Sequence, residues 1–355
     1  MNVRVDTSVR RGVATFALAF LCATAPAYAQ NTWGIGVLRS GALVFCDPVR
    51  DTVWMLKPTG ERQELGTGIT CRAVVTNPDG VYGEAIPNDA SSTRGAGIWR
   101  VVATPNGGAF EWILRPTMNP GPVWLIRDAQ GNQYRWTGAG LGSPRSEIER
   151  RTPLDIAEVV AGSLWGMSDG VGRQGRLGKV DGFALARDGS MVMADSGNIR
   201  RITVDGRVRT EATAVVTNSR VGLLHTMGLW GREIGVAASP TGDTVVVDPA
   251  AGRIVNIDRH GRATPIWEPT GFAQRVSRGR WGWRPAGVAM LGSTYYVLDD
   301  WMGPAIFADL IGSPRLSQVD QNGHVVRVAS VPNWLVRAAV ASLLVALLAW
   351  AVSRR

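Results

Sequence analysis

One short pattern recurs along the chain and limits what it can fold into. Gly41-Ala42-Leu43-Val44-Phe45-Cys46-Asp47 aligns with Gly189-Ser190-Met191-Val192-Met193-Ala194-Asp195, and both align with Gly242-Asp243-Thr244-Val245-Val246-Val247-Asp248. Each is a turn glycine, a short apolar run and an aspartate six positions on. Gly292 to Asp299 has one residue more, Gly80 to Glu84 is a shortened form, and Gly131 to Thr137 keeps the run without the acid. A further run and a second turn follow every copy, as at 53–56 before Thr59-Gly60 and 254–257 before His260-Gly261. Turn to turn, from Gly60 through Gly107, Pro153, Gly206 and Gly261 to Gly323, the spacings are 47, 46, 53, 55 and 62 residues.

Six units of this length, each with room for four short antiparallel strands, have the signature of β-propeller blades. One such unit, for example 180–208, has too little apolar surface to stand alone in water. Packed face to face in a closed ring, each unit is covered by its neighbours. The sequence therefore predicts an all-β, six-bladed β-propeller over 30–331.

The two ends read as export and anchoring signals. Arg4, Arg10 and Arg11 precede the apolar stretch 12–23, and Ala27-Tyr28-Ala29 offers a small-x-small cleavage site, so 1–29 is expected to be a signal peptide. At the other end, 338–352 carries no charge, and 334–352 spans about 28 Å as a helix, near the roughly 30 Å of a hydrocarbon core. The segment 332–355 is expected to be a transmembrane anchor, with Arg337 snorkelling and Arg354-Arg355 left in the cytoplasm. The propeller would then sit in the periplasm, on the outer side of the cytoplasmic membrane.

The formal charge of +9 shrinks once the ends are set aside. The body holds 32 Lys and Arg against 28 Asp and Glu, so its charge gives little reason to expect a nucleic-acid partner. Two cysteines, Cys46 and Cys71, remain outside the signal and could pair in an oxidising compartment.

Within this repeat, 156–208 resembles an NHL-repeat unit. Ala161-Gly162, Asp169-Gly170, Gly182-Phe183-Ala184, Asp188-Gly189 and Ala194-Asp195-Ser196-Gly197-Asn198 carry the match. The units at 234–261 and 285–323 are looser. The resemblance implies a propeller that acts as a binding platform, or an enzyme related to the gluconolactonase and strictosidine-synthase groups.

No reaction is named by the residues. The recurring acids Asp47, Glu84, Asp195, Asp248 and Asp299 read as turn-capping carboxylates, and Trp33-Gly34-Ile35-Gly36-Val37 lacks the glutamate a gluconolactonase-like metal site would begin with. His225, His260 and His324 lie far apart, without zinc spacing. Neither a nucleophile elbow nor a Walker loop occurs, so no catalytic residue, metal or cofactor is assigned.

The connections between units are more informative. Trp165-Gly166, Trp230-Gly231 and Trp281-Gly282 occupy equivalent loops, and 275–285 holds Arg275, Arg278, Arg280, Trp281, Trp283 and Arg284. On a propeller these connections share one face, which would be basic and aromatic. The register-locked tryptophans are expected to pack between blades; 275–285, with two tryptophans and four arginines in eleven residues, is the exception. The candidate binding residues are Arg275, Arg278, Arg280, Trp281, Trp283, Arg284, Trp165 and Trp230. The expected function is non-catalytic binding or scaffolding for a protein, an anionic glycan or a lipid headgroup; a divergent propeller hydrolase or lactonase is the alternative.

Overall fold

The computed structural model describes residues 34–47, 51–68, 70–86, 97–114, 126–138, 144–216, 235–239, 242–248, 251–267, 282–291, 294–302, 315–320, 324–330 and 334–353. They form six antiparallel sheets of sequence-consecutive strands. Blade 1 contains β1 (Ile35–Val37), β2 (Leu43–Asp47), β3 (Thr52–Leu56) and β4 (Arg62–Thr67). Blade 2 contains β5 (Thr70–Asn77), β6 (Gly80–Ile86), β7 (Gly97–Thr104) and β8 (Gly107–Leu114). Blade 3 contains β9 (Ile126–Arg127), β10 (Gln133–Gly138), β11 (Arg145–Arg151) and β12 (Ala157–Leu164). Blade 4 has β14 (Val180–Leu185), β15 (Met191–Asp195), β16 (Asn198–Ile202) and β17 (Arg207–Ala212), and the short β13 (Gly170–Val171) pairs with its outer edge. Blade 5 runs through β18 (Val236–Ala238), β19 (Thr244–Asp248), β20 (Arg253–Ile257) and β21 (Ala263–Trp267). Blade 6 runs through β22 (Gly282–Leu291), β23 (Thr294–Met302), β24 (Arg315–Val319) and β25 (Val325–Ser330).

The innermost strands close a ring. β1 touches β5, β5 touches β9, and the contacts continue through β14, β18 and β22 back to β1. Among the described residues no strand is exchanged between the first and last blades, so side-chain packing closes the circle. Ile35, Leu43, Phe45 and Leu56 of blade 1 cluster there with Ala289, Leu298 and Leu316 of blade 6.

The recurring register explains this packing. Successive side chains of a strand point to opposite faces, so each second strand serves two seams. In β2, Val44 and Cys46 face blade 2 while Leu43 and Phe45 face blade 6. In β15, Met191 and Met193 join the cluster shared with blades 2 and 3, and Val192 and Ala194 join blade 5. A strand buried on both faces reads as a continuous apolar run, and that is what recurs in the sequence. Polar bonds join the inner strands as well. The Val37 N–H donates to Thr76 Oγ1 at 2.9 Å, and the Arg127 N–H donates to Asn77 Oδ1 at 2.9 Å.

The expected signal peptide, 1–29, lies outside the described residues. The C-terminal segment does form a helix, α1 (Trp334–Ser353). Among the described residues, however, no helix is long and apolar enough to cross a membrane. Arg337 enters one turn into α1 and leaves 338–352 as its uncharged part, about 22 Å of helix against a hydrocarbon core of roughly 30 Å. The spanning segment expected at 334–352 is therefore not shown by the structure. Leu343, Leu344, Val345, Leu347 and Trp350 on this helix are exposed.

Candidate functional site

A propeller offers two faces and a channel, and the strand directions assign the loops to them. The inter-blade connection reaches each inner strand at its start; the turn to the second strand leaves from its other end. The two sets of loops therefore lie on opposite faces.

The face of the connections carries the residues singled out from the sequence. Arg275, Arg278, Arg280, Trp281 and Trp230 lie outside the described residues. Trp283 and Arg284 fall in β22, where their backbones pair with Trp301 and Asp300 of β23. Trp165 is described, and it is 46% exposed, so it does not pack between blades. Leu164, Met167 and Val171 are exposed on the same connection. The Arg176 side chain is exposed there without a partner among the described residues, while Arg173 reaches Glu147 at 3.1 Å.

This connection is held firmly. The Ser168 and Arg176 backbones exchange hydrogen bonds, Leu177 is buried in the core, and β13 zips the excursion onto β17. Beneath it the wholly buried Arg200 donates from Nη1 to Asp195 Oδ2 at 3.0 Å and to the Arg176 carbonyl at 2.6 Å. Its Nη2 donates to the Ser168 carbonyl at 2.7 Å and to Asp169 Oδ1 at 3.0 Å. Asp169 also accepts from the N–H and hydroxyl of Thr210. Burial pushes the Asp169 carboxyl up, but Thr210 and Arg200 outweigh it and hold the group below the ordinary carboxylate value. Asp195 goes the other way, raised by burial despite Arg200 and the Gly178 N–H. The acids of the recurring register are buried: Asp47, Glu84, Asp195, Asp248 and Asp299. Asp195 accepts the Gly178 N–H at 2.9 Å and Asp248 accepts the Ala251 N–H at 3.1 Å, both capping roles. Among the described residues no group of three or more His, Cys, Asp or Glu is placed to hold a metal.

The channel is aliphatic. Ile35, Val37, Val74, Phe183, Val236 and Val288 are among the side chains lining a cavity of about 140 Å³ on the ring's axis. At the opposite mouth it opens into a basin of about 890 Å³, to which all six blades contribute. Sequence reasoning missed this basin. It is built from the first turn of each blade, such as Leu38-Arg39-Ser40-Gly41 and Ala186-Arg187-Asp188-Gly189. Gly41 and Gly189 close these two turns at φ +82° and +80°, where any other L-residue is strained.

Most of the basin's charges are already engaged. Asp128 accepts the Gln130 and Asn132 N–H groups, Asn132 Nδ2 and the Tyr134 hydroxyl. That carboxylate, with burial as the larger cause, pushes the Tyr134 hydroxyl up to about 12. Asp188 caps Ser190, and Arg150 pairs with Glu158. Arg39 and Arg187 are exposed and have no partner among the described residues. A signal for this site was present in the paired arginines of two equivalent turns, but only the ring places them around one axis.

Fold and site together define a six-bladed β-propeller with an apolar channel and a charged basin at one mouth. No protein-family model matches the chain, and no curated protein matches it. Among solved structures it is similar to virginiamycin B lyase from Staphylococcus aureus, at 15% identity over 87% of this chain and 86% of that one, with a TM-score of 0.42. It is also similar to the PQQ-bound aldose sugar dehydrogenase of Streptomyces coelicolor, at 16% identity, 75% and 87% coverage, and a TM-score of 0.42. Regucalcin, a calcium-binding protein of Agrobacterium tumefaciens, aligns at 11% identity, 75% and 80% coverage, and a TM-score of 0.41. The blade count rests on this chain's own strand pairing.

Proposed function

We propose that the chain is an exported propeller, tethered at a membrane, whose connection face binds an acidic protein or an anionic glycan or lipid headgroup without catalysing a reaction. The observation that carries this reading is the exposed surface at the start of blade 4. Leu164, Trp165, Met167 and Val171 stand in solvent beside the free Arg176, on a connection the fold holds rigid. Rigid aromatic and apolar side chains next to an unpaired guanidinium suit recognition better than packing. Arg275, Arg278, Arg280, Trp281, Trp283, Arg284 and Trp230 would extend the surface around the same face. The exposed apolar side chains of α1, such as Leu343, Val345 and Trp350, support tethering. Cys46 is disulfide-bonded, which supports an oxidising compartment such as the periplasm, and Cys71 on the neighbouring β5 is the partner we infer. The NHL-like residues of 156–208 belong to this reading as the scaffold of the connection.

The protein is tested as purified from membranes in mild detergent, followed by identification of what accompanies it. Trp165→Ala and Arg176→Ala, alone and with Arg280→Ala and Arg284→Ala, are expected to lower partner recovery without lowering the melting temperature. Unchanged recovery in the combined variant would reject the connection face. The enzymatic reading, a divergent hydrolase or lactonase of the gluconolactonase type, needs a metal. It is tested by calcium, which would raise the melting temperature of such an enzyme.

A further inference from the structure

The basin at the far mouth of the channel is a second site, on the face away from the connections, and it stands apart from the binding reading above. Its volume of about 890 Å³ falls within the range of small-molecule sites. Its floor is the aliphatic end of the channel, with Leu38, Leu185 and Ala238, and Val204 and Leu291 are exposed at its edge. Of its charged groups, Asp128 already accepts four hydrogen bonds, Asp188 holds Ser190 and Arg150 is paired. Among the described residues, the two unpaired groups are both cations.

Their placement is informative. Arg39 is the second residue of the first turn of blade 1, and Arg187 holds the same position in blade 4. In a ring of six, blades 1 and 4 are diametrically opposed. The basin thus presents a guanidinium on each of two opposite sides, with apolar surface between them. Guanidinium groups favour carboxylate and phosphate, and apolar surface between them favours a hydrocarbon body.

We propose that this basin binds a small amphipathic dianion, an apolar body with an acidic group at each end, held by Arg39 at one side and Arg187 at the other.

Dodecanedioate is a suitable probe, with laurate and the uncharged dodecanediol as its one-acid and no-acid counterparts. Calorimetric titration of the full-length protein in detergent is expected to rank dodecanedioate above laurate and laurate above the diol. Arg39→Ala and Arg187→Ala should each weaken dodecanedioate about fivefold, the effect of losing one solvent-accessible ion pair. The double variant should bind it no better than the diol. Both side chains are exposed and unpaired, so the melting temperature of every variant should match the parent's. Equal affinity for dodecanedioate and the diol, or undiminished binding in the double variant, would overturn the proposal, as would no binding by the parent. Connection-face variants at Trp165 and Arg176 should leave this titration unchanged; loss of dodecanedioate binding there would place the dianion on the other face and overturn the proposal too.

Discussion

The Arg200 guanidinium and the Asp195 carboxylate lie 3.0 Å apart, and neither side chain has any exposed surface. This pair stands under the connection that enters blade 4 and ties it to the blade's middle strands. An ion pair taken wholly out of water is favourable only when its remaining polar atoms are also satisfied. Here the Ser168 and Arg176 carbonyls and Asp169 satisfy the two terminal nitrogens of Arg200, and the Gly178 N–H bonds Asp195, while the buried Arg200 Nε has no hydrogen-bond partner among the described residues. Exposed Trp165 owes its fixed position to this buried arrangement.

Removing one member of the pair should therefore be worse than removing both. Arg200→Met leaves Asp195 charged and buried, and the expected loss is about 3–5 kcal/mol in urea unfolding. Arg200→Met with Asp195→Leu should recover a good part of it. A single variant within about 0.5 kcal/mol of the parent, the range of an ordinary surface change, would show that the latch carries no weight.

Acid should act on the same latch through Asp169. Its pKa is held below the ordinary carboxylate value, so its stabilisation is complete above about pH 4 and disappears as the pH falls through the depressed value. Asp195 has the opposite sign. Its raised pKa means the folded chain takes up that proton before the unfolded chain does, which eases a burial penalty as pH falls. Asp169→Asn is expected to be less stable than the parent at neutral pH and to show a shallower fall in melting temperature from about pH 5 to pH 2. Parallel curves for variant and parent would contradict this assignment.

Reduction should weaken the junction of the first two blades. Cys46 is buried in β2 and disulfide-bonded, and β2 packs against β5. Dithiothreitol or Cys46→Ser should lower stability by about 2–4 kcal/mol. Before reduction, alkylation should find no free thiol at Cys46. A readily alkylated Cys46 in unreduced protein would refute the bond.

The seam between blades 6 and 1 relies on apolar contact. Phe45 is buried at this seam, and Phe45→Ala is expected to lose about 3–5 kcal/mol. Leu154 is 83% exposed, and Leu154→Ala should change stability by less than about 0.5 kcal/mol. Comparable losses for the two variants would mean that Phe45 does not seal the ring.

Much of this architecture was legible because the second strand of each blade is buried on both faces. The runs ending at Asp47, Asp195 and Asp248 became β2, β15 and β19 at the expected positions. Turn glycines marked the start of the second strand even in blade 3, where Gly131 precedes β10 without a following acid. The inner strands were harder to see. β1 and β18 are three residues long and β9 only two, too short for alternation to register. The basin was hidden for a different reason. Arg39 and Arg187 are 148 positions apart in sequence and come together only through the closure of the ring. The register of Trp165 argued for packing between blades, whereas the side chain is exposed, above a latch in which Arg200 looks in sequence like any strand arginine.

The account depends most on the meeting of the first and last blades. A crystal structure of the propeller domain tests this directly. The account predicts six four-stranded sheets around one axis, with Ile35–Val37 against Gly282–Leu291 and Phe45 buried between blades 1 and 6. A gap between those strands, with Phe45 in solvent, would contradict the closed ring and remove both the channel and the basin at its mouth.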